Sequence, residues 1–234
     1  MSKLSERELD TIYEELKFKT KLKERVLTHE EEEIVRGVLD QQKDNLMTTA
    51  ILGLLSTGLR ASEFVHLERN DIDFINKKLT IKPKECDCPH CRRKLEKYWK
   101  KKQYSTKIKK SAYKSAKVRK TARIKGVWTA KSSSSYRKID LNDEALYLFK
   151  KIFNKLNKIL DLYDSIDSLT YHVSKINKIL EKKYKNFKII TCHSLRATKL
   201  TRVAEKTGDI FAVQKVAGHE TTEPSQHYIN ITEL

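Results

Sequence analysis

The chain has 234 residues, 38% of them hydrophobic and 34% charged, and a formal net charge of +18. That length supplies one sizeable core, and the positive excess points to a polyanionic partner, nucleic acid being the commonest. The longest apolar stretch, Met47 to Leu55, is mid-chain and too short to span a membrane, and the polar start Met1-Ser2-Lys3-Leu4-Ser5-Glu6 has no signal-peptide core. No membrane partner and a cytoplasmic, DNA-associated location (nucleoid or host cytoplasm) are therefore expected.

Residues 1–27 are a charged helix candidate without a clear core and read as a linker or docking arm. Thr28-His29-Glu30-Glu31 forms a capping box, Thr at N-cap and Glu at N3, ahead of Ile34, Val35 and Val38 at helical spacing. Residues 45–56 are apolar on most sides, as a buried helix should be, and a second short helix should follow Gly58. Phe74 to Lys82 and Val127 to Leu141 alternate well enough to be strands of a small antiparallel sheet. From Asp143 onward helices dominate. Ala145, Leu148, Phe149, Ile152, Phe153, Leu156 and Ile159-Leu160 fall at helical spacing, and Leu169, Val173, Ile176, Ile179 and Leu180 repeat the pattern. The class is α+β, mainly α: a helical core with a small antiparallel sheet or hairpin.

Charge is concentrated in one place. From Pro83 to Lys131 there are 18 Lys or Arg against 3 acids, so this stretch holds nearly all the positive excess. A block of like charge usually makes a solvated loop. Here Tyr98, Trp99, Tyr104, Tyr113 and Trp128 interleave with the cations, which suits a segment that hugs a DNA strand. Candidate backbone contacts are Arg92, Arg93, Lys100, Lys101, Lys109, Lys110, Lys117, Arg119 and Lys120. The same stretch opens with Cys86-Asp87-Cys88-Pro89-His90-Cys91, a Cys-Pro-x-Cys knuckle of the kind that supplies half a zinc site. No second cysteine pair exists. Cys86, Cys88, His90 and Cys91 would complete a structural zinc site only if the loop winds tightly, and the alternative is free thiols in a basic loop.

Three segments carry candidate chemistry. In Thr57-Gly58-Leu59-Arg60-Ala61-Ser62-Glu63, a glycine lets the chain turn and aim a guanidinium inward, with Glu63 placed to orient it. In His193-Ser194-Leu195-Arg196, imidazole and guanidinium share a face at a helix start, where phosphate is also attracted. Ala217-Gly218-His219 is followed nine positions later by Tyr228. Each segment alone is commonplace, but together they offer several groups able to hold or attack a phosphodiester.

In this order and spacing the segments resemble the tyrosine recombinase, or phage integrase, family. That family carries a Gly-Leu-Arg-x-x-Glu box, a His-x-x-Arg box, a Gly-His box and a tyrosine nine residues beyond that His. The resemblance covers residues 28–234 and implies a catalytic domain there, interrupted by a basic, Cys-containing insertion at 83–126. It implies catalytic roles for Arg60, His193, Arg196, His219 and the nucleophile Tyr228, with Glu63 behind Arg60. Ala130-Lys131-Ser132-Ser133-Ser134-Ser135-Tyr136-Arg137 looks like the family's lysine hairpin, which assigns a catalytic lysine to Lys131. Implied too are double-stranded DNA as partner, a tetramer on DNA, and no cofactor for catalysis. The segment ahead of the domain is shorter than the family's core-binding domain, and the insertion is larger than its usual hairpin. A type IB topoisomerase shares this logic, and an inactive basic DNA-binding module is the non-enzymatic alternative.

Overall fold

The computed structural model describes residues 26–41, 45–86, 88–93, 96–97, 126–128, 135–185 and 187–232. Residues 98–125 and Lys131 lie outside that set, so of the candidate DNA contacts only Arg92 and Arg93 can be placed; both are exposed.

Helix α1 (His29–Asp40) starts on the expected capping box. Thr28 Oγ1 accepts from the Glu31 amide at 3.1 Å, and Glu31 Oε2 accepts from the Thr28 amide at 2.8 Å. The box sets the helix phase so that Val35, Val38 and Leu39 face inward. Helix α2 (Leu46–Thr57) is buried from Thr48 to Thr57, which explains why its sequence is apolar nearly all round. The short α3 (Ala61–Val65) follows Gly58 as expected.

Strands β1 (Ile72–Asp73), β2 (Lys78–Ile81) and β5 (Arg137–Asp140) form an antiparallel sheet in the order β1-β2-β5, with Leu79 opposite Ile72 on one side and Ile139 on the other. The expected strand from Phe74 begins four residues late. Asp73 Oδ1 accepts from the Ile75 and Asn76 amides at 3.1 and 2.9 Å, and Lys77 adopts φ 52°, so residues 74–77 close a turn. A second antiparallel pair, β3 (Lys84–Cys86) with β4 (Gly126–Trp128), brings Cys86 opposite Gly126. The chain between them therefore leaves and returns at adjacent points.

Helix α4 (Asp143–Phe153) is capped by Asn142. It stops before Leu156; Ile159–Asp161 form a separate 3-10 turn held by the Glu68–Lys158 bridge. Helix α5 (Ile166–Lys183) buries Leu169, Val173, Ile176 and Leu180 and leaves Ile179 towards solvent. Three helices complete the chain: α6 (Cys192–Thr207), α7 (Ile210–Ala217) and α8 (Glu223–Thr232). Helix α2 packs on α4 and α6 within the main core. Helices α6, α7 and α8 enclose a smaller apolar cluster of Ala197, Leu200, Ala204, Val213, Ala217, Tyr228 and Ile229. Val26 joins that cluster, and the buried Leu27 donates its amide to Thr198 Oγ1 at 3.0 Å. The two last residues of the expected arm are thus anchored in the domain.

Candidate active site

Arg60 owes its position to the end of α2. Gly58 caps that helix at φ 66°, and a Cβ there would come within 2.9 Å of Lys199 Cγ. After this tight turn Arg60 is the N-cap of α3, and its own amide donates to Glu63 Oε2 at 3.0 Å. Arg60 Nη1 donates to Glu63 Oε1 at 2.7 Å and to Ser135 Oγ at 3.2 Å, and Nη2 donates to the Gly218 carbonyl at 3.1 Å.

Glu63 is almost fully buried and takes a second arginine. Arg137 on β5 donates Nη1 and Nη2 to the two carboxylate oxygens, each at 3.1 Å, and Nε to the Val216 carbonyl at 3.0 Å. Burial alone would raise the Glu63 pKa. The hydrogen bond and charge of Arg137, with those of Arg60, outweigh it and hold the carboxyl below its ordinary value. The buried anion is thus a fixed strut between α3, β5 and the end of α7.

Arg196 sits one turn into α6 and is buried, with Nη1 on the Gly58 carbonyl and Nη2 on the Ala217 carbonyl, both at 2.7 Å. Burial and the neighbouring Arg60 charge pull its pKa down to about 10, so it still carries its charge at neutral pH. Arg60 and Arg196 therefore hook the consecutive carbonyls of Gly218 and Ala217, which sets two guanidinium groups side by side. Gly218 closes α7 at φ 63°, and a Cβ there would meet Arg137 Nη1 at 2.6 Å.

The turn after Gly218 presents His219, whose Nδ1 lies 2.9 Å from the buried Ser225 Oγ. Its ring stacks on Tyr228, centroids 6.4 Å apart at 18°. Burial, then the charges of Arg196, Arg60 and Arg137, lower the His219 pKa to about 4, so the imidazole is neutral at pH 7. Tyr228 stands on α8, 7% exposed, inside the smaller cluster and near the Arg196 guanidinium. His193 lies at the start of α6, one turn before Arg196 and more open to solvent than it. The structure thus brings Arg60, Glu63, Arg196, His219 and Tyr228 together and leaves His193 exposed at the start of α6.

The sequence model of the phage integrase family matches residues 24–233, the same stretch that carries this arrangement. The chain belongs to that family. Its fold is that of a tyrosine recombinase catalytic domain. The Tn1549 transposon integrase in complex with a circular intermediate DNA superposes with a TM-score of 0.63 at 20% identity, over 87% of this chain and 60% of that one. The XerA recombinase gives 0.54 at 16% identity, over 87% and 57%. The XerH site-specific recombinase, bound to its difH substrate in a pre-cleavage complex, gives 0.51 at 18%, over 87% and 49%. At such identities the likeness is one of fold, and this integrase-family chain spans at most 60% of each. No curated protein sequence matches it.

Two residues of this integrase domain escape sequence reasoning. Arg137 is visible in the lysine-hairpin pattern, but its bidentate grip on Glu63 depends on β5 lying beside α3. The other is a histidine. Among the described residues, one group of side chains could hold a metal ion: His66, Cys86, Cys88 and Cys91, all buried, with donor atoms within 4.8 Å of one another. His90, expected to complete that set, is instead exposed. It lies on the helical turn 89–93 that brings Cys88 and Cys91 round to one side, and this turn points it outward.

Proposed function

We propose that this chain is the catalytic domain of a site-specific DNA recombinase or integrase that cuts and rejoins DNA through a 3′-phosphotyrosine intermediate. The observation that carries this reading is the convergence of Arg60, Arg196, His219 and Tyr228 on the turn at Ala217-Gly218. Attack on a phosphodiester builds charge on oxygens that are already anionic. Two fixed guanidinium groups meet the non-bridging oxygens, and the Glu63 strut keeps one of them in place. Tyr228 Oη forms a bond to phosphorus as the bond to the 5′-oxygen breaks. The phenol proton passes to His193, and Lys131 supplies a proton to the leaving 5′-oxygen. When the Ser225 hydroxyl donates to His219 Nδ1, the neutral ring keeps a hydrogen on Nε2 to offer a phosphate oxygen. The energy of the broken bond stays in the phosphotyrosine, so the reverse attack by a 5′-hydroxyl rejoins the strand without a nucleotide.

Exchange between two duplexes requires four such sites, so the assembly on double-stranded DNA is a tetramer. The test is incubation with a suicide duplex whose nicked 5′-fragment diffuses away: a covalent protein–DNA band supports the reading. Its absence with wild-type protein, or its persistence in Tyr228→Phe, removes it. Relaxation of any supercoiled plasmid without joining of two duplexes would instead fit a type IB topoisomerase.

A further inference from the structure

We propose that His66, Cys86, Cys88 and Cys91 bind one zinc ion, and that this ion fastens the root of the basic insertion to the helix that carries Arg60 and Glu63. The inference stands apart from the recombinase reading, because no catalytic side chain is a ligand.

The donor set is three thiols and one imidazole, which as thiolates and neutral imidazole is a closed, four-ligand structural zinc set. All four residues are buried, Cys91 almost completely. His66 Nε2 lies 3.5 Å from Cys88 Sγ and 3.4 Å from Cys91 Sγ. A tetrahedral ion with ordinary zinc–sulfur and zinc–nitrogen bonds places sulfur and nitrogen about 3.6 Å apart. The spacing is that of two ligands on one ion.

The groups behind the ligands are also in place. His66 Nδ1 donates to the Ser62 carbonyl at 2.6 Å, which fixes the tautomer and leaves the Nε2 lone pair facing the sulfurs. The Cys88 amide donates to Cys86 Sγ and the Cys91 amide to Cys88 Sγ, both at 3.4 Å, so backbone N–H groups already point at the sulfurs that would carry negative charge. The His66 ring also stacks on Trp128 of β4, centroids 5.2 Å apart at 22°.

The ligands come from two parts of the chain. His66 is the C-cap of α3, whose N-cap is Arg60. Cys86 ends β3, and Cys88 and Cys91 follow it into the insertion. An ion held by all four would tie the point where the basic tract departs to the far end of the Arg60 helix. It would also lock β3 and β4, the pair that leads on toward Lys131.

The experiment uses the full chain purified under reducing conditions, with zinc measured by atomic emission and no DNA present. We expect one zinc per chain, a tetrahedral cobalt spectrum with thiolate charge-transfer bands after exchange, and a lower melting temperature once a chelator strips the metal. His90→Ala keeps one zinc, whereas His66→Ala loses it or yields it to a chromophoric chelator at least ten times more readily. His66→Cys, which preserves four donors, retains the metal and intensifies the cobalt charge-transfer bands, so loss in His66→Ala cannot be laid to misfolding. Under a tenth of a zinc per wild-type chain after reconstitution, with three reactive thiols, overturns the proposal. So does equal metal loss in His66→Ala and His90→Ala.

Discussion

In the proposed reaction single side chains divide into those that would do chemistry and those that hold them. Tyr228→Phe removes one hydroxyl, so covalent adducts should vanish on a denaturing gel while DNA affinity stays within about twofold, since charge dominates such binding. Lysine cannot reproduce the paired hooks of Arg196 on the Gly58 and Ala217 carbonyls. Arg196→Lys should therefore cost roughly 10²–10³ in single-turnover cleavage, a typical loss for one fixed donor to a developing oxyanion. His219 makes a pH prediction with a definite sign. Its pKa falls from 6.5 to about 4 on folding, so the unfolded chain binds the proton first. Stability should be highest above about 6.5 and decline as pH falls toward about 4, and His219→Gln should flatten that decline in thermal melts. A wild-type profile no steeper than the variant's would show that the folded site does not hold this imidazole neutral.

Elements position these side chains through their ends. Gly58 and Gly218 both close helices in the left-handed region, and each lies under a side chain of another element. Gly208 closes α6 at φ 60°, and a methyl placed there would meet nothing within 4 Å, which makes this glycine an internal control. Gly208→Ala should cost about 1 kcal/mol in denaturant melts, the strain of a left-handed alanine, and leave cleavage unchanged. Gly218→Ala meets the same strain and also drives a methyl into the Arg137 guanidinium, which then cannot hold Glu63. It should be the less stable of the two and lose cleavage out of proportion to stability. Equal effects from both would mean that the close approach of Gly218 to Arg137 does not matter to the site.

For the whole molecule the governing quantity is the distribution of charge. Most of the +18 lies between Pro83 and Lys131, and Cys86 opposite Gly126 brings the two ends of the insertion together. Residues 94–125 can therefore be replaced by a short Gly-Ser linker with Lys131, the cysteines and both strands retained. The shortened protein should fold and bind any DNA sequence more weakly by a similar factor. Its log affinity should fall less steeply with log salt, by about 0.9 for each phosphate that the tract neutralises in the full chain. An unchanged slope would mean that the tract does not touch DNA, and the lysines from Lys100 to Lys120 would then be surface charge only.

What could be read from the sequence alone was local or ordered along the chain. The capping box at Thr28, the buried α2, the turn at Gly58 and the spacing from His219 to Tyr228 are short-range relations, set by backbone geometry and helical period. The family boxes could be recognised for the same reason. Tertiary structure decided which distant groups share a space. It put Arg137 on Glu63, aligned two arginines on neighbouring carbonyls, lowered the His219 pKa, and chose His66 over His90 as the histidine beside the cysteines. His90 is one residue from Cys91 and His66 is 25 positions away, yet the nearer side chain points outward. Periodicity tells which face of a helix turns inward, but only chain closure determines what that face meets.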